Sequence, residues 1–491
     1  MNLNEYEWSR NPRGMHQATF EIDIPLMARH RMGWIKIVAL GQANRAAADA
    51  MASGMTPVVR VYRERPGNSP VDEGAYNQYR SYREMGVKWF EYYNEPNLGV
   101  EWPQGAAYDP RSLATIQPLM DNWMTWAEWI ISIGGYPNFP SLSDVNTGSN
   151  EDTIAWIDGM LGYLKQNHYE RFRNIINNGL YIATHPYIYN HFYQERTGGG
   201  ARSARPADAV NVSEGGWHFE YPYDPICQYD DPGRTVRGGT ALAPNGDTVG
   251  LLGSASAIMA ILQAEFGVGA IPVVSTEGGI FAPGFGPPQA DNRYPPVTTH
   301  SHAHGTLAMF EWISTVAPAW MFGVCLWKFD DYYRREDGFL PVAGLFEQRA
   351  PIMKDVPAIP ALTDASSPAT PPPVIVLTPD LPGPGPIHGY ADYQFVFLAP
   401  SLETDWFFDA AEAYWDAFKP VLVVDLEFIE FLPSNKSLVV TAITTPDMIE
   451  WIETSITPRW PNVFIDFILV EQPDDLAREL SNRVAVGRRF G

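Results

Sequence analysis

The stretch from Trp89 to Asn97, WFEYYNEPN, constrains the fold of this chain more than any other. Apolar and aromatic residues run up to Tyr93 as a buried strand rich in β-formers. They then stop against Asn94, Glu95, Pro96 and Asn97. Proline disfavours the helical region for the residue before it, so the strand is expected to end at Glu95 and to present a carboxylate with an amide beside it. A second stretch, Ile271 to Gly279, has the same form. It is an apolar strand ending in Glu277, followed by two glycines that let the backbone turn and a ligand approach. Between and around the two stretches, strand patterns alternate with helix patterns. Near-continuous apolar strands separated by helices imply parallel strands covered by those helices.

In chain order, strands are expected over 13–20, 34–40, 57–63, 87–93, 134–139, 180–187, 271–277 and 320–326, with helices over 43–53, 76–85, 111–133, 151–166, 170–178 and 252–266. That alternation is the pattern of an α/β chain folded as a (β/α)8 or TIM barrel, in which functional groups gather at the C-terminal ends of the strands. Trp123, Trp126, Trp129 and Ile130, at helical spacing, read as a packing face. Residues 188–248 form an insertion with Gly198, Gly199 and Gly200 and the aromatics Trp217, Phe219, Tyr221 and Tyr223. It is too long for a bare loop, and because it follows a strand it belongs over the mouth of the barrel, as does the loop 281–296. The barrel is expected to fill residues 1–356. A Pro/Gly-rich linker follows at 357–389, and then a small α/β accessory domain at 390–491 with four strands and three helices.

The chain has 491 residues, of which 45% are apolar and 19% charged, so it is globular. A net charge of −23 argues against nucleic acid or an anionic polymer as partner. The 16 Trp and 24 Tyr are enough to fill a core and also to line a sugar site. Cys227 and Cys325 are the only cysteines, which rules out a disulfide framework and argues against a thiolate zinc site. His300, His302 and His304 are spaced so that they do not share one helical face, and they read as polar loop histidines. No cofactor and no metal are expected. The first residues have neither a basic segment nor an apolar one, so no leader is expected, and no apolar run reaches the roughly 18 residues of a membrane span.

Two carboxylates facing each other across a barrel mouth suit glycosidic bond cleavage, where one group donates a proton and the other stays ionised. Asn94-Glu95-Pro96 at one strand end and Glu277 at another resemble clan A of the glycoside hydrolases, retaining (β/α)8 enzymes such as families 5 and 39. The resemblance spans about residues 10–345 and singles out no family. It implies Glu95 as acid/base, Glu277 as nucleophile and Asn94 as the partner of the substrate 2-hydroxyl. His185 and Tyr187 match the clan's sixth-strand His-x-Tyr, whose Tyr contacts the nucleophile. Trp327 matches the eighth-strand Trp that floors the subsite at the cleaved bond. Arg60, with Arg63 as the alternative, resembles the strand-end Arg near the nucleophile. The substrate so implied is a β-linked oligo- or polysaccharide. The competing readings are an inactive glycan-binding barrel and another TIM-barrel hydrolase, such as a metal-dependent amidase.

Overall fold

The computed structural model describes residues 1–17, 23–39, 43–146, 148–200, 202–284, 291–328, 334–335, 338–356, 391, 393–402, 404–418, 420–426, 432, 437–458, 460, 463–485 and 489–490. The contacts divide the chain into two compact units, Met1–Leu362 and Thr363–Gly491. The expected linker, 357–389, and the end of the expected first strand, 18–20, lie outside the described residues.

In the first unit eight parallel strands close into a barrel: β1 (Arg13–Gln17), β2 (Trp34–Ala39), β3 (Thr56–Val61), β4 (Trp89–Glu91), β5 (Tyr136–Phe139), β6 (Tyr181–Thr184), β7 (Val273–Ser275) and β8 (Met321–Leu326). Each strand pairs with its sequence neighbour, and β8 closes on β1 from Arg13↔Val324 to Met15↔Leu326. Helices connect the strands, and several are started by side-chain caps: Asp72, Asp152 and Thr298 each accept a hydrogen bond from a backbone N–H in the first turn.

Period-two alternation sorts the strand side chains into two layers. Ile35, Ile37, Val59, Phe90, Ile182 and Val273 join the core between strands and helices, together with Trp123, Trp126 and Ile130 of the helix Leu113–Ser132. Trp34, Val58, Trp89, Tyr136, Tyr181 and Phe322 form a second, separate core inside the barrel, with Leu3 and Tyr6 packed onto it. Trp89 is its centre: the rings of Trp34, Tyr136 and Tyr181 stand edge-on to it at 5.2, 5.2 and 4.8 Å. Trp89→Ala is therefore expected to cost about 3–5 kcal/mol, read as a drop in the urea midpoint. A cost below about 1 kcal/mol would show that this plug does not hold the barrel together.

Two residues further along the same inward faces stand Lys36, Arg60, Glu91 and Asn138, all buried. Above the aromatic plug, then, lies a polar layer. This layer explains why β4 is shorter than its sequence pattern. It pairs with β5 only at Trp89↔Tyr136 and Phe90↔Pro137, and the Asn138 carbonyl, next along that edge, accepts from Trp123 Nε1 at 2.7 Å. The Tyr92 N–H donates to the Asn138 side chain instead, at 2.9 Å. The strand ends at Glu91, and Glu95 stands on the loop beyond it, not at the strand end itself. In the same way β6 stops at Thr184, before His185.

The insertion is built as a cap with its own core. A two-residue hairpin pairs Tyr193–Gln194 with Trp217–His218, and the helix Pro225–Asp230 follows. Tyr193, Tyr221, Ile226 and Cys227 pack together with Val249 and Tyr294. Arg234 lies between Asp231 and Asp247 at 2.7 and 3.1 Å. Two of the clustered histidines stitch this cap to the helix Thr299–Thr315: His300 Nε2 bonds the Val210 carbonyl, and His304 Nδ1 accepts from the Val212 N–H.

The second unit is a four-stranded parallel sheet, β9 (Tyr393–Leu398), β10 (Val421–Val423), β11 (Leu438–Thr444) and β12 (Phe464–Leu469), in the order β10-β9-β11-β12. Separate apolar clusters cover its two faces, one with Tyr414, Leu476 and Leu480 from its helices, the other with Ile452 and Ile456. Among the described residues, no helix of either unit is long and apolar enough to cross a membrane.

Candidate active site

The side chains that the sequence singles out converge at the C-terminal ends of the barrel strands. After β7 the chain passes Thr276 and Glu277 into Gly278, whose φ is +123°; a Cβ there would lie 2.5 Å from the Pro186 carbonyl oxygen. Glycine thus lets the extensions of β6 and β7 run side by side, with Tyr187 bridged to Gly279. This places Tyr187 against Glu277, and its hydroxyl donates to Glu277 Oε2 at 3.0 Å. Glu95 holds a φ of +29°, a left-handed conformation that a residue with a side chain adopts only under constraint from its surroundings. That backbone turns its carboxylate to His185, whose Nδ1 lies 2.9 Å from Glu95 Oε1 and whose Nε2 lies 3.2 Å from Thr276 Oγ1.

Glu277 is the most heavily surrounded group. His16 Nε2 and Arg60 Nη1 lie 3.4 and 3.7 Å from its Oε1, and His185 Nδ1 lies 3.7 Å from its Oε2. Glu95 and Glu277 are only 8% and 3% exposed. Each brings a carboxylate oxygen within 4.8 Å of the other's and of a ring nitrogen of His185. Burial works against the charged form of Glu277, yet His185, His16 and Arg60 together hold its carboxyl well below the usual range. Burial likewise works against protonated His185, but Glu277 and the hydrogen bond to Glu95 raise its pKa. Burial dominates at His16 and pushes it down to about 4, so that ring is neutral. The pair is therefore asymmetric, with an ionised Glu277 on one side and a proton held by His185 beside Glu95 on the other.

Arg60, on β3, is the arginine that reaches the site. It bonds Asn94 Oδ1 as well as approaching Glu277. Arg63 turns away, to the carbonyls of Ser69 and Pro70. The amide of Asn94, expected to meet a substrate hydroxyl, is engaged at both ends, since its Nδ2 donates to Glu101 Oε1 at 2.7 Å. Trp327 follows β8 with its ring 4.5 Å from that of His16. Beside the carboxylates, Tyr187 stacks on Phe281 at 5.2 Å, and Phe281 on Tyr189 at 5.6 Å, forming an aromatic strip of the kind that suits the C–H faces of sugars. Three donors so close together are also what a cation would need. The guanidinium of Arg60 stands beside them at Glu277.

The sequence patterns did not single out His16, Lys36 or Glu91. The signal for the last two was present: each is a charged residue inside an otherwise apolar strand, on the inward parity of that strand.

No protein-family model matches the chain, and no curated protein matches it. Solved structures do. One is a GH128 (subgroup I) endo-β-1,3-glucanase from Amycolatopsis mediterranei in complex with laminaritriose, 11% identical, covering 69% of this chain and 99% of that one, with a TM-score of 0.34. Another is an endo-β-1,4-mannanase from Thermotoga petrophila, 10% identical, covering 71% of this chain and 77% of that one, with a TM-score of 0.35. Both are glycoside hydrolases, and at these scores the likeness transfers no residue and no role to this chain.

Proposed function

We propose that the chain is a glycoside hydrolase that cleaves β-linked glycan by double displacement, with Glu277 as nucleophile and Glu95 as acid/base. One observation carries this: the two carboxylates approach within 4.8 Å at the barrel mouth. A separation of about 5–5.5 Å leaves room for a covalent glycosyl intermediate, whereas an inverting pair stands roughly 6.5–9.5 Å apart to admit a water. Glu277, ionised and turned by Tyr187, attacks the anomeric carbon. Glu95 delivers a proton to the departing oxygen, taken from the hydrogen bond it shares with His185, and then activates the water that releases the sugar. The aromatic strip of Tyr187, Phe281 and Tyr189 and the indole of Trp327 would hold the sugar rings by their apolar faces.

The test is a screen of β-linked polysaccharides and aryl β-glycosides, followed by proton NMR of the first product formed. The β-anomer is expected first. Initial release of the α-anomer would assign inversion, and binding of a glycan without turnover would assign an inactive barrel. Activity that is lost in EDTA and restored by a divalent ion would point to a different barrel hydrolase. Tyr187→Phe removes one hydrogen bond to the nucleophile, and a bond to a charged group is worth about 1.5–3 kcal/mol. We expect kcat to fall roughly 10- to 100-fold with KM nearly unchanged, because the bond orients Glu277 for attack.

A further inference from the structure

We propose that Lys36 and Glu91, a buried ion pair one layer beneath the candidate active site, are positioning residues that fix how many protons the site above them holds. Both side chains are fully buried and in direct contact. Replacing such a pair by apolar residues of similar volume is often neutral or stabilising, and the layer below it is already aromatic and apolar. Packing alone therefore gives no reason for it.

The contacts of the pair run upward. In β-register His16 lies beside Lys36, and Arg60 beside Glu91. Arg60 Nη1 lies 3.5 Å from Glu91 Oε1 and 3.7 Å from Glu277 Oε1, so one guanidinium nitrogen spans the lower and upper carboxylates. His185 Nε2 lies 4.0 Å from the same Glu91 oxygen, and Ser141 Oγ lies 3.4 Å from it. The other titratable groups that face the pair are neutral: Tyr79 and Tyr181, which burial pushes up, and Cys325, pushed up to about 12 by burial. Around His185, burial pushes the Asp144 carboxyl well up. Glu101 stands further out behind Asn94.

The charge count then closes in a simple way. Three carboxylates, Glu91, Glu95 and Glu277, face two cations: Arg60, and Lys36, whose pKa burial lowers against the pull of Glu91. The one negative charge in excess is balanced by one proton. The hydrogen bond between His185 and Glu95 is its place, since Glu91 and Glu277 both stand against Arg60, at 3.5 and 3.7 Å. Under the double-displacement reading this is the proton the leaving group takes. The inference leans on that reading for the use of the proton, not for its location.

The sign of each change follows. Glu91→Gln removes a negative charge, so the proton leaves more easily. Lys36→Met removes a positive charge, so the proton is held more tightly. Lys36→Arg keeps the charge. The experiment is an NMR titration of the imidazoles in the full chain, labelled at histidine, with the His185 signal assigned by its loss in His185→Asn. The His185 midpoint is expected to fall by about one pH unit in Glu91→Gln, to rise by a similar amount in Lys36→Met and to stay within a few tenths in Lys36→Arg. Where a glycosidase activity is found, the basic limb of its kcat/KM profile should move with the midpoint. Midpoints that do not move, or that move the same way in Glu91→Gln and Lys36→Met, would overturn the proposal. Should either variant fail to fold, the wild type still decides. A midpoint set by buried charges is unchanged between low salt and about 1 M salt, whereas one set by the acidic surface shifts. Because the titration needs no turnover, an inactive protein with the expected midpoints would overturn the glycosidase reading and leave this inference standing.

Discussion

Glu277→Gln is expected to lower kcat by a factor on the order of 10⁴ or more on any substrate the wild type hydrolyses, because among the described residues no second group takes the place proposed for the nucleophile. The amide keeps an oxygen for the Tyr187 hydroxyl, and Arg60 keeps Glu91 as its ionic partner. The change in melting temperature should therefore stay within a few degrees. Glu277→Ala leaves a space against His16 and Arg60 in which azide can take the place of the carboxylate. Rescue by azide, giving a glycosyl azide of inverted configuration, is the expected outcome. Activity within tenfold of wild type in Glu277→Gln would remove Glu277 from the chemistry.

Glu95→Gln has an effect that depends on the leaving group. For a glycan, whose departing oxygen needs a proton, we expect kcat/KM to fall about 10²–10⁴-fold. For an aryl glycoside with an acidic phenol the first step needs no such help, so kcat/KM should change little. The second step still lacks its base, so the glycosyl-enzyme should accumulate and appear as a burst of phenol. An equal loss on both kinds of substrate would place Glu95 in structure and not in proton transfer. The Gln variant also loses the charge that faces His185 at 2.9 Å, so the His185 midpoint should drop, in the same direction as in Glu91→Gln.

Much of this was legible in the sequence because it rests on local chemistry. The barrel strands are near-continuous apolar runs, and eight of them separated by helices allow few folds. Glu95 and Glu277 are marked by the residues after them, Pro96 and Gly278, although the strands themselves end earlier, at Glu91 and Ser275; Gly278 is needed because any side chain there would strike the Pro186 carbonyl. What was not legible depends on pairs of strands distant in the chain. β4 ends at Glu91 because the next N–H, that of Tyr92, bonds the side chain of Asn138 while the Asn138 carbonyl is taken by Trp123. The choice between Arg60 and Arg63 is one of parity and strand length: Arg60 shares the inward face of Val58, while Arg63 lies past the end of β3. The roles of Lys36, Glu91 and His16 needed the register, since a charged residue in an apolar run looks the same whether its neighbours are water or three other charges. The cap at 188–248 hid its own core behind glycines and prolines, because three tyrosines and a cysteine share the packing with only Ile226 and Val249.

The most direct test of the central claim is to incubate the wild-type protein with an activated 2-deoxy-2-fluoro β-glycoside of whichever sugar the screen identifies, and to locate the adduct by mass spectrometry of its peptides. Fluorine at the 2-position slows both steps and the good leaving group speeds only the first, so the intermediate should accumulate. A single added glycosyl mass on the peptide containing Glu277, absent in Glu277→Gln, is the expected result. A substrate that is hydrolysed with no adduct, or an adduct on a different carboxylate, would contradict the assignment of Glu277 as nucleophile.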